Sequence, residues 1–490
     1  MLYMGNNNQE RQPFENIKVV NKVKIVGIYF CQNKSASEVE DNWEGRLRKI
    51  KEILKNWMKR KLTIIGKIQV LKTFVLSQLV YVLQSLAIPD NILDDLNTLF
   101  YRFIWKKNNF HCRAWERVKR SVLSNDKKSG GLTMINLHDF QKSFLIAWGS
   151  KLCDGEMEEW KLLPKEFLAP IGGLSAFGSK IKAKDFKGLN EIKSIFWQKV
   201  LQAWLQNNKY ETDITNQDTI NNNESITLNK QTLFLKTSIN KNIIFIKDVM
   251  EGENIITYES YKRKVGENQE CMIDYLAIKT AVSRIKHKIE HKPNISYVYK
   301  FQEMNCSNLK RKNIYKSLLQ QEKCYCEIFW EKKYSLPLNE STWENLFTFT
   351  KETKLQEIQW KIIHNIFPTN ILLNRMGIKD SEKCEFCGEK DHIEHYFFEC
   401  VNIAKLWPEI KQIITIETKI IFELNEKIIL FGIEQDIKSN ELTAREIRFI
   451  NNIILIGKLS IIKSKMENIN VILIFEKEMK LRIRKLRGVV

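Results

Sequence analysis

The stretch Cys384-Glu-Phe-Cys387-Gly-Glu-Lys-Asp-His392-Ile-Glu-His395-Tyr-Phe-Phe-Glu-Cys400 places three thiols and two imidazoles within seventeen residues. Taken as Cys384-x2-Cys387-x7-His395-x4-Cys400, it supplies four donors that can close a tetrahedral Zn²⁺ site. The Cys-x2-Cys loop puts two sulfurs on one side of the ion. Residues 393–399 read as one or two helical turns that carry His395 and Cys400 round to the other side. Four protein donors leave no open position, so the zinc reads as structural and not hydrolytic. His392 is the competing imidazole. A Cys-x2-Cys-x4-His-x4-Cys reading would use it, but position 397 is then required to be Cys and is Phe397. His395 keeps the spacing to Cys400. Cys324 and Cys326 have no His beside them in sequence and read as ordinary thiols.

The chain around this cluster has 490 residues, room for two to four domains. Its 43% hydrophobic and 28% charged content supports packed cores and argues against general disorder. A formal net charge of +20 favours a polyanionic partner, most simply nucleic acid. The ten Cys are scattered without framework spacing, which fits a reducing compartment, nucleus or cytoplasm. Residues 1–12 lack the apolar core of a signal peptide. The two most apolar stretches are interrupted, so no membrane partner is expected. Residues 62–88 contain Lys67, Gln69, Lys72, Gln78 and Gln84; residues 449–475 contain Asn451, Asn452, Lys458, Lys463 and Lys465.

Patterning along the chain predicts a mainly α, multi-domain protein. Residues 17–30 are β-branched and partly alternating, a strand or hairpin that needs something to pack on. Ser37-x-x-Glu40 is a capping-box pattern. Trp43, Leu47, Ile50, Leu54 and Trp57 make one helical stripe, and Ile68, Leu71, Val75, Leu79 and Val82 make another. A third helix spans about 91–105, and a fourth begins near Asn136 after Gly130-Gly131; short connections suggest a bundle. Residues 206–225 read as a polar loop, with short strands at 226–235 and 243–246. Helices are expected at about 273–287, 314–331, 342–366 and 369–376, a strand at 427–431, and long helices at 441–466 and 471–487. The expected order is a strand remnant over 1–34 and a helical bundle over 35–155. A mixed α/β middle region over 156–340, a zinc-binding domain over 341–420 and a basic helical tail over 421–490 follow.

Residues 41–150 hold 20 Lys/Arg against 9 Asp/Glu, more than half of the chain's whole excess. Basic residues alternate there with aromatics, as in Trp57-Met-Lys59-Arg60-Lys61 and Tyr101-Arg102-Phe-Ile-Trp105-Lys106-Lys107. Lys59, Arg60, Lys61, Lys67, Arg102, Lys106, Lys107, Arg117, Lys119 and Arg120 are the candidate phosphate contacts. The aromatics themselves read as core.

Several blocks, in order, resemble the C-terminal part of the reverse transcriptase polyprotein of LINE-type non-LTR retrotransposons. Val23-Lys-Ile-Val-Gly-Ile looks like the strand that closes the polymerase palm, with Val26 where the family usually has Leu. Trp57-x4-Leu62-Thr-Ile-Ile-Gly66, Ile88-Pro89, Tyr101-Arg102-Phe103-Ile104-Trp105, Gly130-Gly131-Leu132 and Ala147-Trp148 are similar to successive thumb blocks. Lys361-Ile-Ile-His364, Asn370-x-Leu372-Leu373 and Gly377-Ile378 lead into the metal cluster, which looks like the family's zinc-binding domain. The resemblance implies a thumb-like bundle, structural Zn²⁺, and a grip on template RNA and target DNA. It also implies, as further partners, the polymerase and endonuclease segments. Polymerisation needs carboxylates that hold Mg²⁺, and the family's aromatic-x-Asp-Asp hairpin is not found. Asp94-Asp95 lies in an amphipathic helical pattern and reads as helix charge. Mg²⁺ is therefore expected only where an intact palm is supplied, and the chain alone should not synthesise DNA. Two other readings stand beside this one: the tail of an active RNA-directed DNA polymerase, and a zinc-stabilised protein-interaction scaffold.

Overall fold

A computed structural model describes residues 22–31, 40–105, 116–266, 269–292, 299–335, 337–421, 423–433 and 442–487. Helix dominates, and every sheet among these residues has two short strands. The chain is mainly α and multi-domain. It divides into two compact units, each drawn from three separate chain segments: 1–34, 80–93 and 137–319 in one, 35–79, 94–136 and 320–490 in the other. The stretch expected as a thumb-like bundle thus contributes to both.

In the first unit, Lys22–Ile25 and Ile28–Cys31 pair as an antiparallel hairpin. Its two turn residues, Val26 and Gly27, have φ of 46° and 79°. Positive φ at both positions is what a tight hairpin turn demands, and it is costly for a β-branched Val. One core gathers on the helices Leu137–Leu152, Ile195–Asn207 and Arg311–Leu318. Trp204 is fully buried there and donates from Nε1 to the Phe177 carbonyl at 2.9 Å.

A second core in this unit lies between residues 214 and 289. Ile214–Thr215 pairs parallel with Ile289–Glu290, and two-residue strands form hairpins at Thr227–Leu228 with Gln231–Thr232 and at Met250–Glu251 with Asn254–Ile255. Of the expected strand at 243–246 only Phe245 pairs, in an isolated antiparallel bridge with Thr219, and Ile246–Val249 forms a single tight turn. The "polar loop" at 206–225 is also different from expectation. Residues 219–223, Thr-Ile-Asn-Asn-Asn, are all buried. Asn222 Nδ2 donates to Lys187 O at 3.0 Å while its Oδ1 accepts from Lys187 N at 2.8 Å. Asn221 Oδ1 accepts from Leu235 N at 2.7 Å, and Asn223 Nδ2 donates to Thr219 O at 3.0 Å. Amide side chains supplement backbone bonds here, such as Ile220 N to Ile244 O at 2.8 Å and Asn222 N to Leu233 O at 3.0 Å, and together they carry a polar run into a core; Thr219 Oγ1 and Asn221 Nδ2 are left without a hydrogen-bond partner.

The second unit is built round Ala444–Glu467, a 24-residue helix. A capping box starts it: Thr443 Oγ1 accepts from Glu446 N at 3.3 Å, and Glu446 Oε2 accepts from Thr443 N at 2.7 Å. Asn468 at φ 53° ends it. Its middle is buried on all sides, from Ile450 through Ile461. The helices Thr353–Ile363, Leu406–Thr418 and Val471–Arg487 pack against it. The expected helix at 342–366 is two helices, Glu340–Thr348 and Thr353–Ile363. The expected strand at 427–431 is the helix Glu426–Phe431, because Asn425 caps it through Ile428 N at 2.9 Å and Gly432 at φ 85° stops it. The capping pattern at Ser37 lies outside the described residues.

Ile64–Leu83 is by length and composition apolar enough to cross a membrane. Its polar interruptions are engaged within the protein: Lys67 Nζ donates to Ile104 O at 3.0 Å, and Lys72 Nζ to Thr133 Oγ1 at 2.5 Å.

Candidate metal centre

The Cys-x2-Cys loop is a tight knuckle. Gly388 N donates to Cys384 O at 2.9 Å, and Cys384 N to Glu389 O at 2.7 Å. Gly388 takes φ 79°, a left-handed conformation suited to glycine. Asn370, at the start of the helix Asn370–Arg375, holds the knuckle from both sides: its Nδ2 donates to Lys383 O at 2.7 Å and its backbone N to Asp391 Oδ2 at 2.9 Å. The other two donors come from one wide helical turn, His395–Glu399. Cys400 N closes it on His395 O at 3.1 Å.

These elements bring the donor atoms of Cys384, Cys387, His395 and Cys400 within 4.8 Å of one another. Cys384 Sγ lies 3.9 Å from Cys400 Sγ, and Cys387 Sγ 3.3 Å from His395 Nε2. A tetrahedral zinc with ordinary bond lengths sets these separations at roughly 3.8 Å and roughly 3.6 Å. The site therefore fits structural Zn²⁺. Burial keeps the His395 imidazole below its ordinary pKa, with Lys465 adding to the effect, so it is neutral as a ligand must be. Burial pushes the Cys400 thiol up to about 11, and a divalent cation is the counter-charge that turns it into a thiolate.

Three thiolates, one imidazole and Zn²⁺ sum to one negative charge. Lys465, with a side chain 7% exposed, stands beside the site. Its Nζ is 3.6 Å from Asp391 Oδ1 and 3.8 Å from the Tyr396 ring centre. Neither Lys465 Nζ nor that Asp391 oxygen has a hydrogen-bond partner. Asp391 is the nearest opposite charge to Lys465, and a zinc-bound cluster with one negative charge would add a second.

His392 is outside the donor set. Its Nδ1 is 2.9 Å from Glu394 Oε2 and accepts from His395 N at 3.0 Å, and its Nε2 is 3.5 Å from Glu399 Oε2.

The candidate phosphate contacts divide. Lys59, Arg60 and Lys61 are exposed in the connection between Gly45–Met58 and Ile64–Val70, with Arg60 stacked 4.5 Å over the Trp57 ring. Lys119 is exposed and pairs with Glu322 at 3.3 Å. Arg102 and Arg117 are half-buried, and burial lowers the Arg117 pKa. Arg120 is engaged by Glu116 and lies 4.4 Å over the Tyr101 ring. Lys67 is a correction: it is buried and its ammonium is held by Ile104 O, so it is not presented to a phosphate. Lys106 and Lys107 lie outside the described residues. Asp94 and Asp95 are exposed on the helix Asp90–Trp105.

A further set was missed in the sequence. Cys324 and Cys326 meet His364, with all three buried and their donor atoms within 4.8 Å. Cys-x-Cys is the local signal; the imidazole comes from another helix.

Compared with known families, residues 310–407 match the family described as zinc-binding in reverse transcriptase. The match spans roughly a fifth of the chain, contains all four zinc donors, and begins ahead of the boundary at 341 expected from patterning. This segment is a reverse-transcriptase-associated zinc-binding region.

Proposed function

We propose that this chain is a nucleic-acid-binding C-terminal segment of a LINE-type, non-LTR retrotransposon reverse transcriptase, gripping template RNA or target DNA. The observation that carries the reading is the coincidence of the four-donor metal cluster with the segment that matches the zinc-binding family of reverse transcriptases. The exposed Lys59-Arg60-Lys61 connection, in the same compact unit as the metal cluster, supports it. A short basic run, with Arg60 held over the Trp57 ring, can neutralise phosphates without reading bases. Zinc fixes the knuckle; the basic residues supply the attraction.

The test is the affinity of the full chain for a primer–template duplex as a function of salt. Log affinity should fall linearly with log salt concentration. The triple substitution Lys59→Ala, Arg60→Ala, Lys61→Ala should shallow that slope by about 0.9 for each phosphate contact removed. An affinity indifferent to salt sinks the reading, and an unchanged slope in the triple variant removes this run from the interface.

A further inference from the structure

We propose that Cys324, Cys326 and His364 form a second metal site, selective for a zinc-class divalent ion. Cys324 is the residue that opens the helix Tyr325–Tyr334, and Cys326 lies in its first turn. His364 ends the helix Thr353–Ile363. The three side chains are all more than nine-tenths buried.

The orientation of His364 is the decisive observation. Its Nε2 lies 2.8 Å from the Gly130 carbonyl oxygen. A carbonyl only accepts, so the ring proton is on Nε2. Nδ1 then carries its lone pair, and it faces Cys326 Sγ at 3.8 Å. Sulfur and nitrogen on one tetrahedral zinc stand roughly 3.6 Å apart. Metal-bound imidazoles characteristically donate their other N–H to a carbonyl or carboxylate, which fixes tautomer and ring angle together. Here that support is rigid. Trp360 Nε1 donates to the same Gly130 oxygen at 3.0 Å, and the His364 ring sits 4.3 Å from Trp360 and 5.0 Å from Trp343.

Gly130 is itself constrained by the site. It takes φ 76°, and a Cβ there would lie 2.8 Å from the Trp343 ring and 3.0 Å from Cys324 Sγ. Only glycine lets the loop carry its carbonyl to the imidazole. The neighbouring Ser129 carbonyl oxygen lies 3.8 Å from Cys324 Sγ, so the same loop approaches the thiol as well as the imidazole.

Charge explains why this site needs no nearby cation. Two thiolates and a divalent ion sum to zero, and a neutral cluster is cheap to bury. The first centre, with three thiolates, has Lys465. A thiolate–imidazole donor set selects zinc over hard cations such as Mg²⁺ or Ca²⁺.

The experiment uses the full chain loaded with Zn²⁺ and, separately, with ¹¹³Cd²⁺. Wild type should bind two equivalents of Zn²⁺ and give two ¹¹³Cd resonances, one for each donor set. Cys326→Ser should remove one resonance and one equivalent. The pair Cys384→Ser, Cys387→Ser should remove the other. The wild-type measurement stands even if Cys326→Ser fails to fold. A single wild-type equivalent that disappears in the Cys384→Ser, Cys387→Ser protein overturns the proposal. A resonance that survives in that protein and is lost in Cys326→Ser upholds it, whatever becomes of the first centre.

Discussion

The Cys400 amide donates to the His395 carbonyl at 3.1 Å, five residues back instead of the four of an ordinary helix. That wide turn is why four residues separate the last two zinc donors: it swings Cys400 Sγ towards Cys384 Sγ, 3.9 Å away. The geometry makes the turn and the metal interdependent. Cys384→Ser should therefore lower zinc content by one equivalent and expose the 384–400 segment to protease. Structural zinc contributes on the order of 10 kcal/mol in small domains, enough to decide whether a knuckle folds. Unchanged zinc content in that variant, measured by elemental analysis, overturns the ligand assignment.

Lys465 tests the charge argument. Lys465→Met keeps most of the side chain's bulk but removes the cation beside a negatively charged cluster. Supporting groups of this kind typically alter metal affinity by about 10–100-fold. Competition against a chromophoric chelator should show zinc bound at least about tenfold more weakly in Lys465→Met. Equal affinity would mean that Lys465 serves only Asp391 and the Tyr396 ring.

Lys67 separates a structural lysine from a phosphate-binding one. Its ammonium is buried and bonded to Ile104 O at 3.0 Å. Lys67→Ala removes the ammonium that this carbonyl receives and should destabilise the protein by about 1–3 kcal/mol in urea unfolding. The salt dependence of duplex binding should not change. A shallower slope in Lys67→Ala would return this residue to the interface.

Lys458 sets a pH dependence. It is wholly buried, donating to Gln359 Oε1 at 2.6 Å and Leu430 O at 3.0 Å. Burial lowers its pKa well below the ordinary 10.5. Between the folded value and the unfolded one, the unfolded chain binds the extra proton, so stability rises with pH and is lost as pH falls. The change in urea midpoint from pH 7.5 to pH 9.5 should be more positive in wild type than in Lys458→Met. Equal changes in the two proteins would contradict a Lys458 pKa lowered by burial.

Gly131 is held by backbone approach. A Cβ there would fall 2.0 Å from the Asn125 carbonyl oxygen, in the turn where Gly131 N donates to Asp126 O at 3.1 Å. Backbone cannot rotate out of the way, so Gly131→Ala should cost about 3 kcal/mol or more. A thermal midpoint like that of wild type would show that the turn is looser than it stands.

What sequence alone determined is local. The first metal centre was legible because its donors lie within seventeen residues and two hydrogen-bonded turns translate spacing into geometry. Amphipathic helices such as Gly45–Met58 were legible because a period of 3.6 marks one buried face. Tertiary structure decided the rest. Asn221, Asn222 and Asn223 read as loop but are core, since partners such as Lys187 and Leu235 are distant in sequence. Lys67 read as a phosphate contact and Lys458 as a break in an apolar stretch, yet both are interior, because carbonyls of Ile104 and Leu430 receive them. His364 meets Cys326 across 38 residues and Gly130 across 234. Spacing encodes contacts made by consecutive dihedrals; contacts made by packing depend on which distant faces are buried together, and no single window of sequence contains both sides.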